Sequence, residues 1–531
     1  MSVAKITDQA RRRISPGVMW WGVIVLAAGA RLYGVTDPYV WYDEAFSVWM
    51  SSLSPADIWF HTGKDVHPPL YYLLLHGWVG LFGNSVLAIR SMSVVAGTLT
   101  VVLYMLIVRM ISSRGVAMLA GILLALFPAS IRLSQEARMY ALEGLFLIGA
   151  TLALVCWVRQ PQRYRYLLIY AVCIGASLYT HYYAVLGILA HWLYLIFLRF
   201  GSSLKTRHVV SPAWWLCNVL VFVIYIPWLF SLADLLRNYA KIEAVGSVSW
   251  LDRGSVYTLP GSLWRFFTLQ PQRSLFWLFY WLPPLALSVW VGWVIYFDRT
   301  PYRSYVLLAI FTFFPMLALF CVSLFMPAYL ERYIAFAALG IPVFLAIAVV
   351  SFSHKSFAAG GLMFFCVIAL ELVGLRLNYI QQGDFGYFQG QYVTPFPVVF
   401  DYILSHRREG DIVVVGGGFF YFSSVYYNGT DQGMYLYDLS LANAHSVRPN
   451  GYGASTLMYD TWNDHVLDDT RCAPQGTKRI WWLTGYPLLD VHVPYPGQWP
   501  QVDALRTGEL DLRLYKAPEG APGHDSCWKV N

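Results

Sequence analysis

The chain has 531 residues, of which 57% are hydrophobic, 17% aromatic and 13% charged. Soluble globular domains have about a quarter of their residues charged, so this composition excludes an ordinary soluble protein and indicates a polytopic membrane protein. The net charge is +7, but Lys and Arg are dispersed singly between apolar runs. Membrane orientation accounts for that pattern, so no nucleic acid is expected as a partner.

Residues 1–16 are basic, with Lys5 and Arg11 to Arg13 ahead of an apolar run. This resembles a signal peptide, but the run is long enough to span a bilayer and no small-residue cleavage site follows it. We therefore expect a cytoplasmic N-terminus followed by a retained first helix.

Eleven apolar runs are each long enough to cross about 30 Å of hydrocarbon as a helix. They lie near residues 17–35, 86–108, 115–131, 139–158, 166–180, 183–199, 211–232, 274–297, 304–326, 333–352 and 357–379. With the N-terminus inside, the inner connections contain cations such as Arg109, Arg159 and Lys355, whereas nearly all carboxylates lie outside. The sequence thus predicts a multi-pass inner-membrane protein of about eleven helices over residues 17–380, with everything after residue 380 extracytoplasmic.

Two predicted outer loops are long, residues 36–85 and 233–273. The first contains Ala45 to Phe60 and the apolar stretch Leu70 to Phe82, which is too short to span and suits helices in the interface. The second contains five cations among its aromatic residues, namely Arg237, Lys241, Arg253, Arg265 and Arg273. They fit either attraction of a phosphate or anionic lipid, or a solvated amphipathic loop.

Residues 381–531 have the Gly, Pro, Asp and Asn punctuation of a water-exposed region. Candidate strands at Asp411–Val415, Arg479–Leu483 and Leu510–Tyr515 predict a small C-terminal extracytoplasmic α/β domain. The triple glycine at 416–418 lacks the spacing of a phosphate loop, which favours a tight turn. Cys472 and Cys527 share this region and are candidates for a disulfide. The chain lacks the His and Cys spacing of a zinc site, and we predict no metal.

Polar residues gather at the outer ends of the predicted helices. Asp43 and Glu44 follow the first helix, and His67 precedes Pro68 and Pro69. Asp43 either caps an interfacial helix or belongs to a functional site. Ionisable groups at the edge of the bilayer are costly to desolvate, so their recurrence on one face indicates function.

A third polar segment, residues 132–140, lies at the outer junction of the third and fourth predicted spans. At 3.6 residues per turn, Arg132, Glu136, Tyr140 and Glu143 share one helix face. Such a stripe must face the protein interior or a wet cavity. An internal Arg132–Glu136 ion pair is an alternative that is compatible with function.

Two later spans also have polar outer ends. With the earlier segments, they form an ordered set of five motifs: Asp43-Glu44, His67-Pro68-Pro69-Leu70-Tyr71-Tyr72, Ser134-Gln135-Glu136-Ala137-Arg138-Met139-Tyr140, Thr180-His181-Tyr182-Tyr183 and Arg332-Tyr333. This set resembles the polyprenyl-phosphate-sugar glycosyltransferases of the C-type membrane fold. It is most similar to glycosyltransferase family 39, with its bacterial relatives of protein O-mannosyltransferases, and to the aminoarabinose transferase acting on lipid A. The resemblance covers roughly residues 15–380.

The resemblance implies transfer of a single sugar from a polyprenyl phosphate to an acceptor on the outer face, with inversion and without a cofactor. Asp43 is implied as the catalytic base, with Glu44 beside it. The implied donor-phosphate and substrate-binding residues are His67, Glu136, Arg138, Tyr140, His181, Tyr182, Arg332 and Tyr333. The aminoarabinose enzymes have Lys where this chain has His67, which leaves phosphate and acceptor both open as its ligand.

The acceptor is left open between protein, lipid A, another glycolipid and a wall polymer. The competing class is a membrane transporter or lipid-linked sugar flippase, whose polar groups would lie near the bilayer midplane on broken helices. A third possibility is an inactive receptor-like scaffold. Because the polar residues gather at outer helix ends, the sequence favours chemistry at the membrane surface.

Overall fold

The structure is a computed structural model that describes residues 16–238, 253–272, 275–381, 394–428, 433–437, 451–467, 476–485 and 500–516. Its helices are α1 (Pro16–Leu32), α2 (Tyr42–Ser52), α3 (Pro55–Thr62), α4 (Leu70–Phe82), α5 (Val86–Ile111), α6 (Arg114–Leu126), α7 (Pro128–Ser134), α8 (Tyr140–Arg159), α9 (Arg165–Thr180), α10 (Ala184–Ile196), α11 (Pro212–Arg237), α12 (Thr258–Thr268), α13 (Trp277–Tyr296), α14 (Ser304–Ser323), α15 (Ala335–Ala338), α16 (Ile341–Lys355), α17 (Phe357–Tyr379), α18 (Phe396–His406), α19 (Gly418–Tyr427) and α20 (Trp462–His465). The strands are β1 (Asp411–Gly416), β2 (Met434–Tyr437), β3 (Arg479–Gly485), β4 (Gln501–Thr507) and β5 (Leu510–Lys516).

Each of the eleven predicted apolar runs is helical, and the chain is a multi-pass membrane protein. Among the described residues, eight helical segments are long and apolar enough to cross a membrane, or nine if the bent pair α6–α7 is one span. Helices α1 and α9 are apolar but shorter. The predicted count of eleven crossings is therefore not confirmed.

The span that begins at Glu331 is mostly buried, whereas α11, α13 and α17 are mostly exposed. Their exposed side chains are large and apolar, for example Phe230, Trp277 and Phe365. A helix that is apolar on every side fits a lipid environment, because lipid tails solvate such side chains as well as a protein core does.

A 55° bend separates α6 from α7 at Phe127. Pro128, the first residue of α7, has no N–H to continue the helical ladder. The buried Arg31 side chain donates to the Ala125 carbonyl at 3.4 Å and to Ser130 Oγ at 2.7 Å. Arg31 of α1 therefore donates hydrogen bonds to the polar groups at this bend.

The first of the two predicted outer loops forms three short helices. The apolar stretch Leu70–Phe82 is helical as predicted and forms α4, whereas Ala45 to Phe60 is divided between α2 and α3 at Pro55. The N-cap of α2 is Trp41, and it makes no side-chain capping bond. Asp43, which lies inside the first turn, is thus not the cap of this helix.

The C-terminal region contains a five-stranded sheet in the order β2-β1-β3-β5-β4. Strand β1 is parallel to β2 and β3, whereas β5 is antiparallel to β3 and β4. Strands β1, β3 and β5 lie where the sequence predicts strands. Gly417, with φ of 125°, makes the tight turn between β1 and α19. Cys472 and Cys527 lie outside the described residues.

The sheet region contacts the outer loop through α19. Phe422 packs edge-on against Tyr42 and Phe46, with ring centroids 5.0 and 5.6 Å apart. The Tyr427 hydroxyl accepts a hydrogen bond from the Val40 amide at 2.9 Å. Helix α2 is thereby held between the membrane helices and the C-terminal region.

Candidate active site

Asp43 lies between two guanidinium groups. Its Oδ2 atom is 3.6 Å from Arg138 Nη2 and 3.5 Å from Arg332 Nη1. The Asp43 side chain is 20% exposed, whereas the Arg138 and Arg332 side chains are 3% and 8% exposed. Both distances exceed the 2.7–2.9 Å or so of a good charge-assisted hydrogen bond. The site thus consists of an accessible carboxylate beside two buried cations.

Arg138 reaches Asp43 because the chain leaves the helix between α7 and α8. Residues 135–139 are not helical, so the predicted continuous polar helix face from Arg132 to Glu143 is wrong. The Gln135 side chain donates to the Tyr33 carbonyl at 2.8 Å and accepts from Asn378 at 2.8 Å. These bonds tie the segment to the ends of α1 and α17.

Arg138 is also anchored to the backbone of α2. Its Nη1 atom donates to the Asp43 carbonyl at 3.2 Å and to Ser47 Oγ at 3.1 Å. Its buried Nε atom has no hydrogen-bond partner in the described part of the chain. Arg138 therefore keeps a free donor in the site.

Arg332 lies in the 3₁₀ turn Glu331–Ile334 that starts a span. Its guanidinium carbon is 5.7 Å from the Trp41 ring centroid and 5.8 Å from that of Tyr140. These aromatic contacts orient a buried cation without neutralising it. Tyr333, the next residue, stacks on Tyr183 at 4.9 Å.

Both carboxylate oxygens of Glu44 are occupied by hydrogen bonds to groups other than Arg138 and Arg332. Its two oxygens accept bonds from Arg90 Nε at 2.8 Å and Nη2 at 2.6 Å, and Oε1 also accepts from the Ala137 amide at 2.8 Å. Both side chains are almost completely buried. This saturated pair links α2, α5 and the segment that contains Arg138. Arg90 is not among the predicted site residues, although a lone cation inside an apolar run is a usable signal.

Glu136 and Tyr182 also have partners inside the protein. Glu136 Oε1 is 2.8 Å from Arg132 Nη1, so the ion pair that the sequence left open is present. The Tyr182 hydroxyl accepts from Trp228 at 3.2 Å.

Two imidazole–carboxyl pairs adjoin each other, and His67 of one pair lies within electrostatic range of Asp43. His67 Nδ1 is 3.5 Å from Asp65 Oδ2, and His181 Nδ1 is 3.4 Å from Glu143 Oε1. The two imidazole rings are 5.7 Å apart, and His181 also contacts the Tyr140 ring at 5.6 Å. Asp65 and Glu143 were not among the predicted site residues, since their role depends on contacts between separate segments.

The electrostatic environment keeps Asp43 ionised and His67 neutral. Burial acts to raise the pKa of Asp43, but Arg138 and Arg332 outweigh it and hold that pKa below its ordinary value. Burial lowers the pKa of His67 to about 4, against the opposing effect of Asp65. At neutral pH the site therefore contains an anionic carboxylate and a neutral imidazole.

The second outer loop contributes an ion pair. Arg265 Nη1 is 2.8 Å from Glu331 Oε2, and Ser262 donates to the other Glu331 oxygen at 3.1 Å. These contacts fix the turn that contains Arg332. Lys241 and Arg273 lie outside the described residues.

Residues 66–230 match the family model of dolichyl-phosphate-mannose-protein mannosyltransferases. No curated protein matches the chain by sequence. Among solved structures, ArnT from Cupriavidus metallidurans bound to undecaprenyl phosphate is similar over 94% of this chain and 98% of its own, with TM-score 0.60 and 11% identity. The chain has the C-type glycosyltransferase fold.

A second solved structure with the C-type fold agrees. The archaeal oligosaccharyltransferase AglB from Archaeoglobus fulgidus, in complex with an inhibitory peptide and a dolichol-phosphate, is similar over 88% of this chain and 69% of its own, with TM-score 0.51 and 12% identity. The C-type fold that the sequence motifs imply is therefore confirmed. The matched family segment includes His67, Arg138 and His181 but neither Asp43 nor Arg332.

Proposed function

We propose that this protein transfers a single sugar from a polyprenyl-phosphate donor to an acceptor at the outer face of the inner membrane, with inversion at the anomeric carbon. The observation that supports this most directly is the accessible Asp43 carboxylate flanked by the buried Arg138 and Arg332. The family model and the lipid phosphates named for the two solved structures point to the same donor class.

In the proposed reaction, Asp43 accepts the proton of the acceptor hydroxyl while that oxygen attacks the anomeric carbon. The bond from the anomeric carbon to the phosphate oxygen breaks, and its electron pair leaves with the polyprenyl phosphate. Arg138 and Arg332 bind the departing phosphate, where fixed cations stabilise the developing negative charge. Because the arginines supply this charge, the proposal includes no metal or cofactor.

Binding of the sugar donor also changes the pKa of Asp43. While the arginines face Asp43, they lower its pKa and weaken it as a base. A phosphate that engages them places a second anion near Asp43, which raises the pKa of Asp43 toward that of a useful general base. Sugar-donor binding and activation of the acceptor are thus coupled through the same two side chains.

Glu44 has a different role in this proposal. Its oxygens are occupied by Arg90 and by the Ala137 amide, so it positions the Arg138 segment rather than accepting a proton. Glu136 is likewise a positioning residue, through Arg132. His67, Tyr140, His181, Tyr182 and Tyr333 remain proposed substrate contacts.

The location of the polar groups favours transferase chemistry over transport. Asp43, Arg138 and Arg332 lie at helix starts and in the turn before a span, not in the middle of broken helices. With Arg109 and Lys355 at the opposite ends of their helices, we place the N-terminus in the cytoplasm and the sheet region outside.

The test uses purified protein, a panel of hexosyl and pentosyl undecaprenyl phosphates, and membrane extract as the acceptor source. Wild type should release undecaprenyl phosphate and label an acceptor. Asp43→Asn should lose about 10²–10⁴-fold in rate, the usual contribution of a general base. Asp37→Asn, an exposed carboxylate in the same loop, is the matched control and should retain activity. Equal turnover by folded Asp43→Asn protein would refute the proposed role.

A further inference from the structure

The two imidazole–carboxyl pairs form a compact polar group that neither moves a proton nor binds the phosphate in the proposed reaction. Asp65 and His67 precede α4, Glu143 lies in the first turn of α8, and His181 caps the C-terminus of α9. Three segments distant in sequence therefore converge on one place. We call these four residues the paired-imidazole cluster.

The cluster is almost completely shielded from solvent. Its four residues are between 1% and 8% exposed. Burying polar groups costs free energy unless they are hydrogen-bonded. The contacts within the cluster, at 3.5 and 3.4 Å, are longer than a normal hydrogen bond of about 2.9 Å. In each pair, the imidazole and the carboxyl group are thus close enough to orient each other, but their contact leaves hydrogen-bonding capacity unused.

Two tyrosines next to the cluster are also unsatisfied. The buried hydroxyls of Tyr72 and Tyr140 have no hydrogen-bond partner within the described residues. Tyr140 contacts His181, and Tyr72 is within electrostatic range of Asp65 and Asp43. Several buried donors and acceptors that lack partners in the described ranges therefore lie close together, and a ligand rich in hydroxyl groups would satisfy them.

The charge of the cluster limits which ligand fits. With its pKa at about 4, His67 is a neutral imidazole at pH 7, with one donor and one acceptor nitrogen. Asp65 and Glu143 add acceptors, and the nearby arginines are assigned to the phosphate. A hydroxyl both donates and accepts, so it pairs with this set. A carboxylate on the sugar would meet two more carboxyl groups, and the nearest cation, Arg138, is already engaged by the phosphate in the proposed reaction.

We propose, on the basis of the function proposed above, that the paired-imidazole cluster binds the hydroxyl groups of the donor sugar and selects an uncharged polyhydroxylated sugar over a uronic acid. Asp65 and Glu143 act as specificity-determining residues. The group of side chains is suited to hydroxyls rather than to a metal ion, because the described residues include no set of three such side chains placed as metal ligands.

The experiment measures binding of three lipids to detergent-solubilised protein: undecaprenyl phosphate, mannosyl undecaprenyl phosphate and its mannuronosyl counterpart. The two sugars differ only in oxidation at C6. Wild type should bind the mannosyl lipid at least tenfold more tightly than the mannuronosyl lipid. Glu143→Gln and Asp65→Asn, which remove charge and keep shape, should each reduce this ratio several-fold.

Binding of the sugar-free lipid, undecaprenyl phosphate, distinguishes a loss of sugar recognition from a general loss of lipid binding. Undecaprenyl phosphate should bind wild type and both variants equally, since it lacks the group that the cluster contacts, and this equality also shows that the variants are folded. Glu371→Gln is the matched control, a buried glutamate on the α17 span, and should keep the wild-type ratio.

Two results overturn the inference: equal wild-type affinity for the two sugars, or a wild-type ratio in both Asp65→Asn and Glu143→Gln. If wild type does not bind undecaprenyl phosphate at all, the proposed function fails as well. Binding of that lipid without discrimination between the sugars removes the cluster's role alone.

Discussion

Replacing Arg138 by Gln is the sharpest test of the site, because Arg138 has two separable effects on it. Its guanidinium lowers the pKa of Asp43, and in the proposed reaction it also stabilises the departing phosphate. The side chain is 3% exposed, and its Nη1 bonds to the Asp43 carbonyl and Ser47 hold it in place. Loss of one preorganised electrostatic contact costs about 3 kcal/mol of barrier. We expect kcat to fall about a hundredfold in Arg138→Gln.

The pH dependence gives the second and more specific expectation. A carboxylate base must be ionised, so kcat/KM falls as the pH falls through the pKa of Asp43. In wild type the cations keep this pKa below its ordinary value, and the fall occurs at low pH. Removing the Arg138 charge raises the pKa of Asp43. The acid limb of the profile should therefore move to higher pH in Arg138→Gln.

The assay is release of undecaprenyl phosphate at a series of pH values, with a conservative variant alongside. Arg138→Lys keeps the charge but loses the fork geometry, so it should retain an acid limb close to that of wild type while losing part of the rate. Arg109 is an exposed cation in the last turn of α5. Arg109→Gln should change neither the rate nor the position of the acid limb. An acid limb that stays in place or moves downward in Arg138→Gln would refute the electrostatic coupling.

Two other predictions concern the surroundings of the site. Glu44→Gln leaves the buried Arg90 charge without its counter-ion and should destabilise the protein by about 3 kcal/mol. Thermal unfolding in detergent measures this, and turnover per folded molecule should fall far less than in Asp43→Asn. Phe422→Ala removes the ring that packs on Tyr42 and Phe46. Hydrogen exchange of residues 42–52 should increase, whereas Val502→Ala, an exposed change on β4, should leave it unaltered.

Local patterns in the sequence predict much of this protein. The helical apolar runs, the α4 helix and three strands all follow from hydropathy and residue periodicity. These properties depend on neighbours within a few residues, so one sequence is sufficient to detect them. The set of five sequence motifs likewise predicts the C-type fold.

The helical periodicity of the sequence gives a wrong prediction for the segment after α7. A helical period places Arg132, Glu136, Tyr140 and Glu143 on one face, but the chain leaves the helix at residues 135–139. Tertiary hydrogen bonds from Gln135 to the end of α1 and from Asn378 to Gln135 compete with the helical ladder there. The same break allows Arg138 to face Asp43.

The sequence by itself determined that the chain is a multi-pass membrane protein with carboxylates and cations near the ends of its helices. Only the tertiary structure decided which of them meet. Glu44 and Asp43 are adjacent in sequence, yet successive positions of a helix point in different directions, so one pairs with Arg90 and the other faces Arg138 and Arg332. A charge's role depends on what surrounds its side chain in space, and segments far apart along the chain provide those surroundings.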